Sequence, residues 1–181
     1  ITHCPDLFTS FRKEVEKFVS IREPLAKPES RFNQLTVEIE EGIIPGLNDL
    51  GYDEIHIEKG ISLKGGETAA IKLLMDYVWE SENIKDYKER RNELLGMDFS
   101  SKLSAYLSAG CISPKQVYKE LHNYREKKKD PESAYSLIFE LYWRDFFRFM
   151  GKKHGNKIFQ YKGYTGTDEL PTTQDLTLFD K

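Results

Sequence analysis

Three stretches of this chain carry residue types that can do chemistry. The loop Asp98-Phe99-Ser100-Ser101-Lys102-Leu103-Ser104 places serine hydroxyls and an ammonium just ahead of a helical turn. Serine O–H, lysine N–H and the free backbone N–H groups of a helix start all donate to phosphate oxygens, so the loop suits a phosphate or pyrophosphate cradle. The plain alternative is a serine-rich helix cap, since serine is a preferred cap residue. One helix upstream, Tyr87 to Asn92 reads YKERRN and sets Tyr87 and Arg91 four residues apart on one face. Arg91 there can meet a phosphate and Tyr87 can hydrogen-bond a ligand; the alternative is a solvated charged face. The third stretch sets Glu140, Trp143, Arg144 and Phe147 on a single helix face. Glu and Arg are seldom buried unless paired. Two readings stay open here. Either Glu140 pairs with Arg144, with Asp145 close by, or the face is a pocket floor. In the second case Trp143 stacks on a flat base, Glu140 accepts a hydrogen bond from it and Arg144 meets a phosphate.

The elements that must position these residues are helical. Pro5 to Phe18 carries Leu7, Phe8, Phe11, Val15 and Phe18 at helical spacing, with Pro5 suited to the first turn. Ser20 to Gly65 is interrupted by Pro24, Pro28, Pro45 and several glycines, and is expected to be an extended interdomain linker. Glu67 to Glu80 is expected to be a helix with Ala70, Leu73, Leu74, Tyr77 and Val78 as its apolar stripe. A second helix is expected over Ile84 to Leu95, stopped by Gly96, and a few turns over Leu103 to Ala109, closed by Gly110. Ser113-Pro114-Lys115-Gln116 is a capping box with proline at the first helical position, flanked by Ile112 and Val117 as a hydrophobic staple. That helix runs to a basic end at Lys127-Lys128-Lys129, which suits the macrodipole. Asp130-Pro131-Glu132 repeats a start signal. The next helix is expected from Pro131 to about Met150, ended by Gly151, with Tyr135, Phe139, Tyr142 and Phe146 on one side. Leu137, Leu141 and Trp143 widen its apolar arc, so it should be buried. No period-2 strand pattern appears, and the expected class is all-α.

Composition sets the outer bounds. With 27 Lys and Arg against 30 Asp and Glu, the net charge is −3, so any nucleic-acid surface must be local rather than global. No apolar run is long enough to span a bilayer, and no leader pattern of a secretory signal is present. The 2 cysteines, Cys4 and Cys111, are far apart, and the 4 histidines show no metal-ligand spacing. A reducing, cytoplasmic setting without a structural metal is expected. The chain starts at Ile1 and ends in TLFDK, and is expected to be a piece of a longer protein.

Taken in order, GGETAA (65–70), YKERRN (87–92), GMDFSSKLSAYLSAGCISPKQVY (96–118) and FELYWRDFFRF (139–149) resemble the flavin-binding helical domain of the photolyase and cryptochrome family. The resemblance is strongest to its cryptochrome DASH branch, and PDLFTSFRKEVEK (5–17) is similar to that branch's approach to its linker. The resemblance implies an all-helical domain holding FAD, with Tyr87, Ser100, Ser101, Lys102, Leu103 and Ser104 at its phosphates and ribityl chain. It implies that Arg91 reaches DNA phosphate, and that Glu140 and Trp143 line a lesion pocket with Arg144 and Phe147 nearby. The implied reaction is light-driven splitting of cyclobutane pyrimidine dimers, preferentially in single-stranded DNA, with the chemistry carried by the cofactor.

There are departures. Many photolyases have Thr-Ser-Arg-Leu-Ser where this chain has Ser100-Ser101-Lys102-Leu103-Ser104; a point charge replaces a bidentate guanidinium and keeps the sign. Nothing in the chain matches the family's antenna domain or the C-terminal half of its flavin domain. Residues 1–64 are therefore expected to be helix plus linker, and 65–181 the N-terminal half of the helical domain. The piece alone is expected to be inactive, to bind FAD poorly and to self-associate through uncovered apolar surface. A methenyltetrahydrofolate antenna is an expectation for the full-length protein only. The competing readings are a non-enzymatic blue-light photoreceptor and an unrelated helical interaction module.

Overall fold

Helical periodicity prevails in the described residues, and the backbone follows. A computed structural model describes residues 3–26, 40, 42–53, 63–93, 96, 98–129 and 132–166, and among these residues every regular element is helical. The α-helices are α1 (Phe8–Phe18), α2 (Glu67–Met75), α3 (Tyr87–Arg90), α4 (Leu103–Ala109), α5 (Pro114–Lys128) and α6 (Ser133–His154). The chain divides into two compact units, Ile1–Ile21 with Ile138–Lys181, and Arg22–Leu137; the boundary falls inside α6.

In the first unit, α1 buries Phe8, Phe11 and Val15 together with Phe146 and Met150 of α6. Cys4, Phe139, Tyr142 and Trp143 pack at the margin of this cluster. Burying each Phe contributes about 1.5–3 kcal/mol, which is why a helix of eleven residues with no side-chain cap holds its place. The helix starts three residues later than expected. Pro5 lies ahead of it, and the cap position is Leu7, which is exposed along with Phe18. Only the Phe8, Phe11 and Val15 part of the expected stripe is inward. At the other end, α6 does not stop at Gly151 but runs on to His154. Lys152, Lys153 and His154 form its last turn, where cations suit the macrodipole. Lys153 Nζ also donates to the Cys4 carbonyl at 2.9 Å and to Asp6 Oδ1 at 2.8 Å, giving the extra turn partners that Gly151 could not supply.

In the second unit, α2 packs on α4, and Ala70, Leu74, Tyr77 and Val78 are buried as their spacing implies. The expected helix over Glu67 to Glu80 is present, but its last five residues, Asp76–Glu80, form a π-turn closed by Ser81 N–H to the Asp76 carbonyl at 2.9 Å. The expected helix over Ile84 to Leu95 is a 3-10 turn, Asn83–Asp86, followed by the single turn of α3. Ile84 and Tyr87 are buried, but the next positions on that stripe are Arg91 and Asn92, which are exposed. At that point of the stripe the α-helix gives way to a turn, with exposed polar residues where tertiary support would be needed. Leu94 and Leu95 lie outside the described residues, as do the Asp130-Pro131 start signal and half of the expected linker. Gly110 closes α4 in the left-handed region at φ 74°, letting the Cys111 N–H return to the Tyr106 carbonyl at 2.9 Å. The capping box of α5 is formed as expected: Gln116 N–H donates to Ser113 Oγ at 3.1 Å, and Ser113 N–H donates to Gln116 Oε1 at 2.8 Å. Ile112 and Val117 on either side are both buried.

Candidate functional site

The serine-rich loop has the donors of a phosphate site, held in a defined arrangement. Lys102 adopts the left-handed conformation, φ 52° and ψ 14°, directly before α4. That bend turns its ammonium back onto Ser100, donating to Oγ at 3.0 Å. Ser101 is buried, and its Oγ accepts from the Leu103 N–H at 3.5 Å. The remaining valences can be counted. Ser100 accepts from Lys102 and keeps its own O–H to donate, while the ammonium keeps two further N–H donors. Phosphate oxygens only accept, so this donor set fits a phosphate-bearing group. Helix α4 has 7 residues, so its dipole adds little. Leu103 is buried in the core and Ser104 is exposed on the first turn of α4. Tyr106 fastens the same helix by donating its O–H to the Lys64 carbonyl at 2.6 Å.

Tyr87 and Arg91 do not share an environment. Tyr87 is buried, whereas Arg91 closes α3 through its N–H to the Tyr87 carbonyl at 3.0 Å and has an exposed side chain. Contact between α3 and the loop runs through residues that the spacing did not single out. The Arg90 guanidinium lies over the Phe99 ring, 4.9 Å from its centroid, one residue before Ser100. This cation–π contact carries no local signature, because the partners are distant in sequence.

The Trp143 face belongs to the other unit and is described by itself. Trp143 is stacked by Phe8 at 3.6 Å between centroids and 9° between planes, and on Phe147 at 5.4 Å and 24°. Phe139 and Phe146 meet Trp143 edge-on, at 6.4 and 5.8 Å. Phe147 is 63% exposed, so the ring on that side is the one open to exchange. The Arg144 guanidinium donates to Asp145 Oδ1 at 3.2 Å; of the two carboxylates considered, this is the one it meets in a resolved ion pair. Glu140 is half-buried on the same helix. The part played by Phe8 was hidden in the sequence because its helical spacing signalled only a core position.

Among the described residues no group of three or more His, Cys, Asp or Glu side chains is placed to hold a metal ion, and no helix is long and apolar enough to cross a membrane.

No family model matches the sequence. The chain is 40% identical over 99% of its length to the Cryptochrome DASH of Gloeobacter violaceus, covering 36% of that protein. It is 38% identical over 97% of its length to the Cryptochrome DASH of Danio rerio, covering 34% of it. The crystal structure of the Synechocystis sp. PCC6803 cryptochrome matches with a TM-score of 0.81 at 38% identity, over 98% of this chain and 36% of that one. The chain thus spans about a third of the length of these relatives. The motifs, the helical fold and an alignment at 38–40% identity over almost the whole chain agree: the chain belongs to the photolyase and cryptochrome family, in its cryptochrome DASH branch.

Proposed function

We propose that this chain supplies part of the flavin site and part of the substrate face of a blue-light-driven FAD enzyme that splits cyclobutane pyrimidine dimers, preferentially in single-stranded DNA. The observation that carries the reading is the Ser100–Lys102 loop, whose bent backbone and unspent donors suit the FAD phosphates. Tyr87, Ser100, Ser101, Lys102, Leu103 and Ser104 form the cofactor part of the site; Leu103 contributes through the backbone, since its side chain is in the core. Arg91, exposed, meets DNA phosphate, and Glu140, Trp143, Arg144 and Phe147 form the substrate face. FAD, when bound, supplies the electron that starts ring opening; the protein residues bind, orient and exclude water. Residues 65–181 are the N-terminal half of the FAD-binding domain and 1–64 its leading helix and linker. The cytoplasm is the proposed compartment, although relatives in Solanum lycopersicum and Arabidopsis thaliana are named chloroplastic/mitochondrial.

One observation favours a non-repairing photoreceptor instead. Both faces of Trp143 are already covered by rings, which a dimer would have to displace. The full-length gene product decides between them. Flavin absorbance together with dimer repair that falls at least tenfold in Trp143→Ala supports the enzyme. Flavin absorbance with no turnover selects the photoreceptor, and a colourless protein rejects both.

A further inference from the structure

Tyr77 is 3% exposed, and its hydroxyl oxygen is buried with no hydrogen-bond partner among the described residues. Buried polar groups are nearly always paired, and an unpaired one in a native fold calls for an explanation. Its backbone setting is equally unusual. Tyr77 lies in the π-turn Asp76–Glu80, a conformation that is rare and concentrated at functional sites. This turn is firmly held. Trp79 Nε1–H donates to Glu120 Oε2 at 3.0 Å, and the Trp79 ring meets Tyr124 edge-on at 5.4 Å. The turn packs against both α5 and the 3-10 turn that leads into α3. The ionisable groups near enough to act on the phenol are Tyr87 and Arg90, the first and last residues of α3, and Asp86 just ahead of it. Burial pushes the phenol far above its ordinary range, so the group is a neutral O–H donor.

We propose that Tyr77 is a second tyrosine of the ligand site, whose buried hydroxyl donates to the phosphate-bearing ligand that Tyr87 and the Ser100–Ser104 loop hold. This rests on the flavin-site reading above. It explains why an unpaired hydroxyl is kept: the donor is left open in the free protein and closed by the ligand. The π-turn is the device that brings it there, since its extra residue per turn rotates Tyr77 relative to a regular helix.

The hypothesis gives free-protein stability and ligand affinity opposite signs. In the full-length gene product, Tyr77→Phe removes only the oxygen. The apoprotein melting temperature is expected to stay the same or rise, because an unpaired buried hydroxyl is lost. The FAD dissociation constant, from titration of the apoprotein, is expected to rise about tenfold. An unchanged dissociation constant overturns the proposal, as a fall in apoprotein melting temperature would by assigning the hydroxyl a folding partner. Lys102→Gly is measured in parallel. If it weakens FAD binding while Tyr77→Phe does not, the Tyr77 inference alone fails. If neither does, the reading of the loop fails with it.

Discussion

Lys102 shows two demands meeting in a single residue. A non-glycine side chain in the left-handed region costs about 1–2 kcal/mol, and here it is tolerated in a residue that also places an ammonium against Ser100. Glycine at that position removes the backbone cost and the charge together. Lys102→Gly is therefore expected to leave stability unchanged or raise it by about 1 kcal/mol, the gain being offset by glycine's own entropy. The same variant is expected to lose flavin on gel filtration under conditions where the parent protein keeps it. A drop in both would mean that the lysine is structural, holding the loop through Ser100. The donor set of this loop was legible in the sequence because hydroxyl and ammonium groups carry their chemistry wherever they fold. The backbone bend that turns Lys102 onto Ser100 was not, since left-handed lysine has no sequence signature. Tyr77 was equally hidden: its spacing marked it as a core residue, and nothing in residue order says whether a buried phenol finds a partner.

At the scale of elements, what could be read depended on how local the cause was. The α5 start depends on four consecutive residues and formed as its sequence implies. Ser113→Ala removes one half of the reciprocal pair and is expected to cost about 1 kcal/mol. In a thermal melt that is a shift of about 2–4 °C for a protein of this size; no shift would mean that Pro114 and the buried Ile112 and Val117 suffice to start the helix. Helix α3 shows the reverse. Its charged run is full of good helix formers, yet it makes a single turn. Propensity is a weak prior, and here the residues that follow Tyr87 on its stripe, Arg91 and Asn92, are exposed. The end of α6 was missed for a related reason. Glycine within a helix costs about 0.5–1 kcal/mol and is overridden when the residues after it find partners, as Lys153 does at Cys4 and Asp6.

For the whole molecule, that last contact has a pH signature. Asp6 is held below its ordinary value of 3.8, chiefly by the hydrogen bond from Lys153, with His154 adding to it at 3.5 Å. A carboxyl whose folded value is depressed adds stability above its ordinary value and loses it as pH falls through the folded one. Asp6→Asn is expected to lower the melting temperature slightly at neutral pH and to match the parent protein once the pH has fallen below the carboxyl's folded value. A difference that persisted in acid would show that the amide disturbs packing rather than charge. Because the carboxylate is exposed, the effect is small and falls further in high salt. The helical class and the family were legible from the sequence, because the motifs recur in the same order over nearly the whole chain. The grouping of α1 with the far end of α6 was not, because it joins residues that are remote in sequence.

The chain has 2 tryptophans, and the fold gives one to each unit: Trp143 to the first and Trp79 to the second. Their surroundings differ optically. Trp143 lies between phenyl rings, while the Trp79 indole N–H is bonded to a carboxylate and an ammonium sits 5.2 Å from its ring. Each unit therefore has a built-in fluorophore. In the 181-residue chain taken by itself, Trp79→Phe and Trp143→Phe each leave one tryptophan, whose emission would report the melting of its unit, and so whether the two lose their structure as one cooperative block or in sequence.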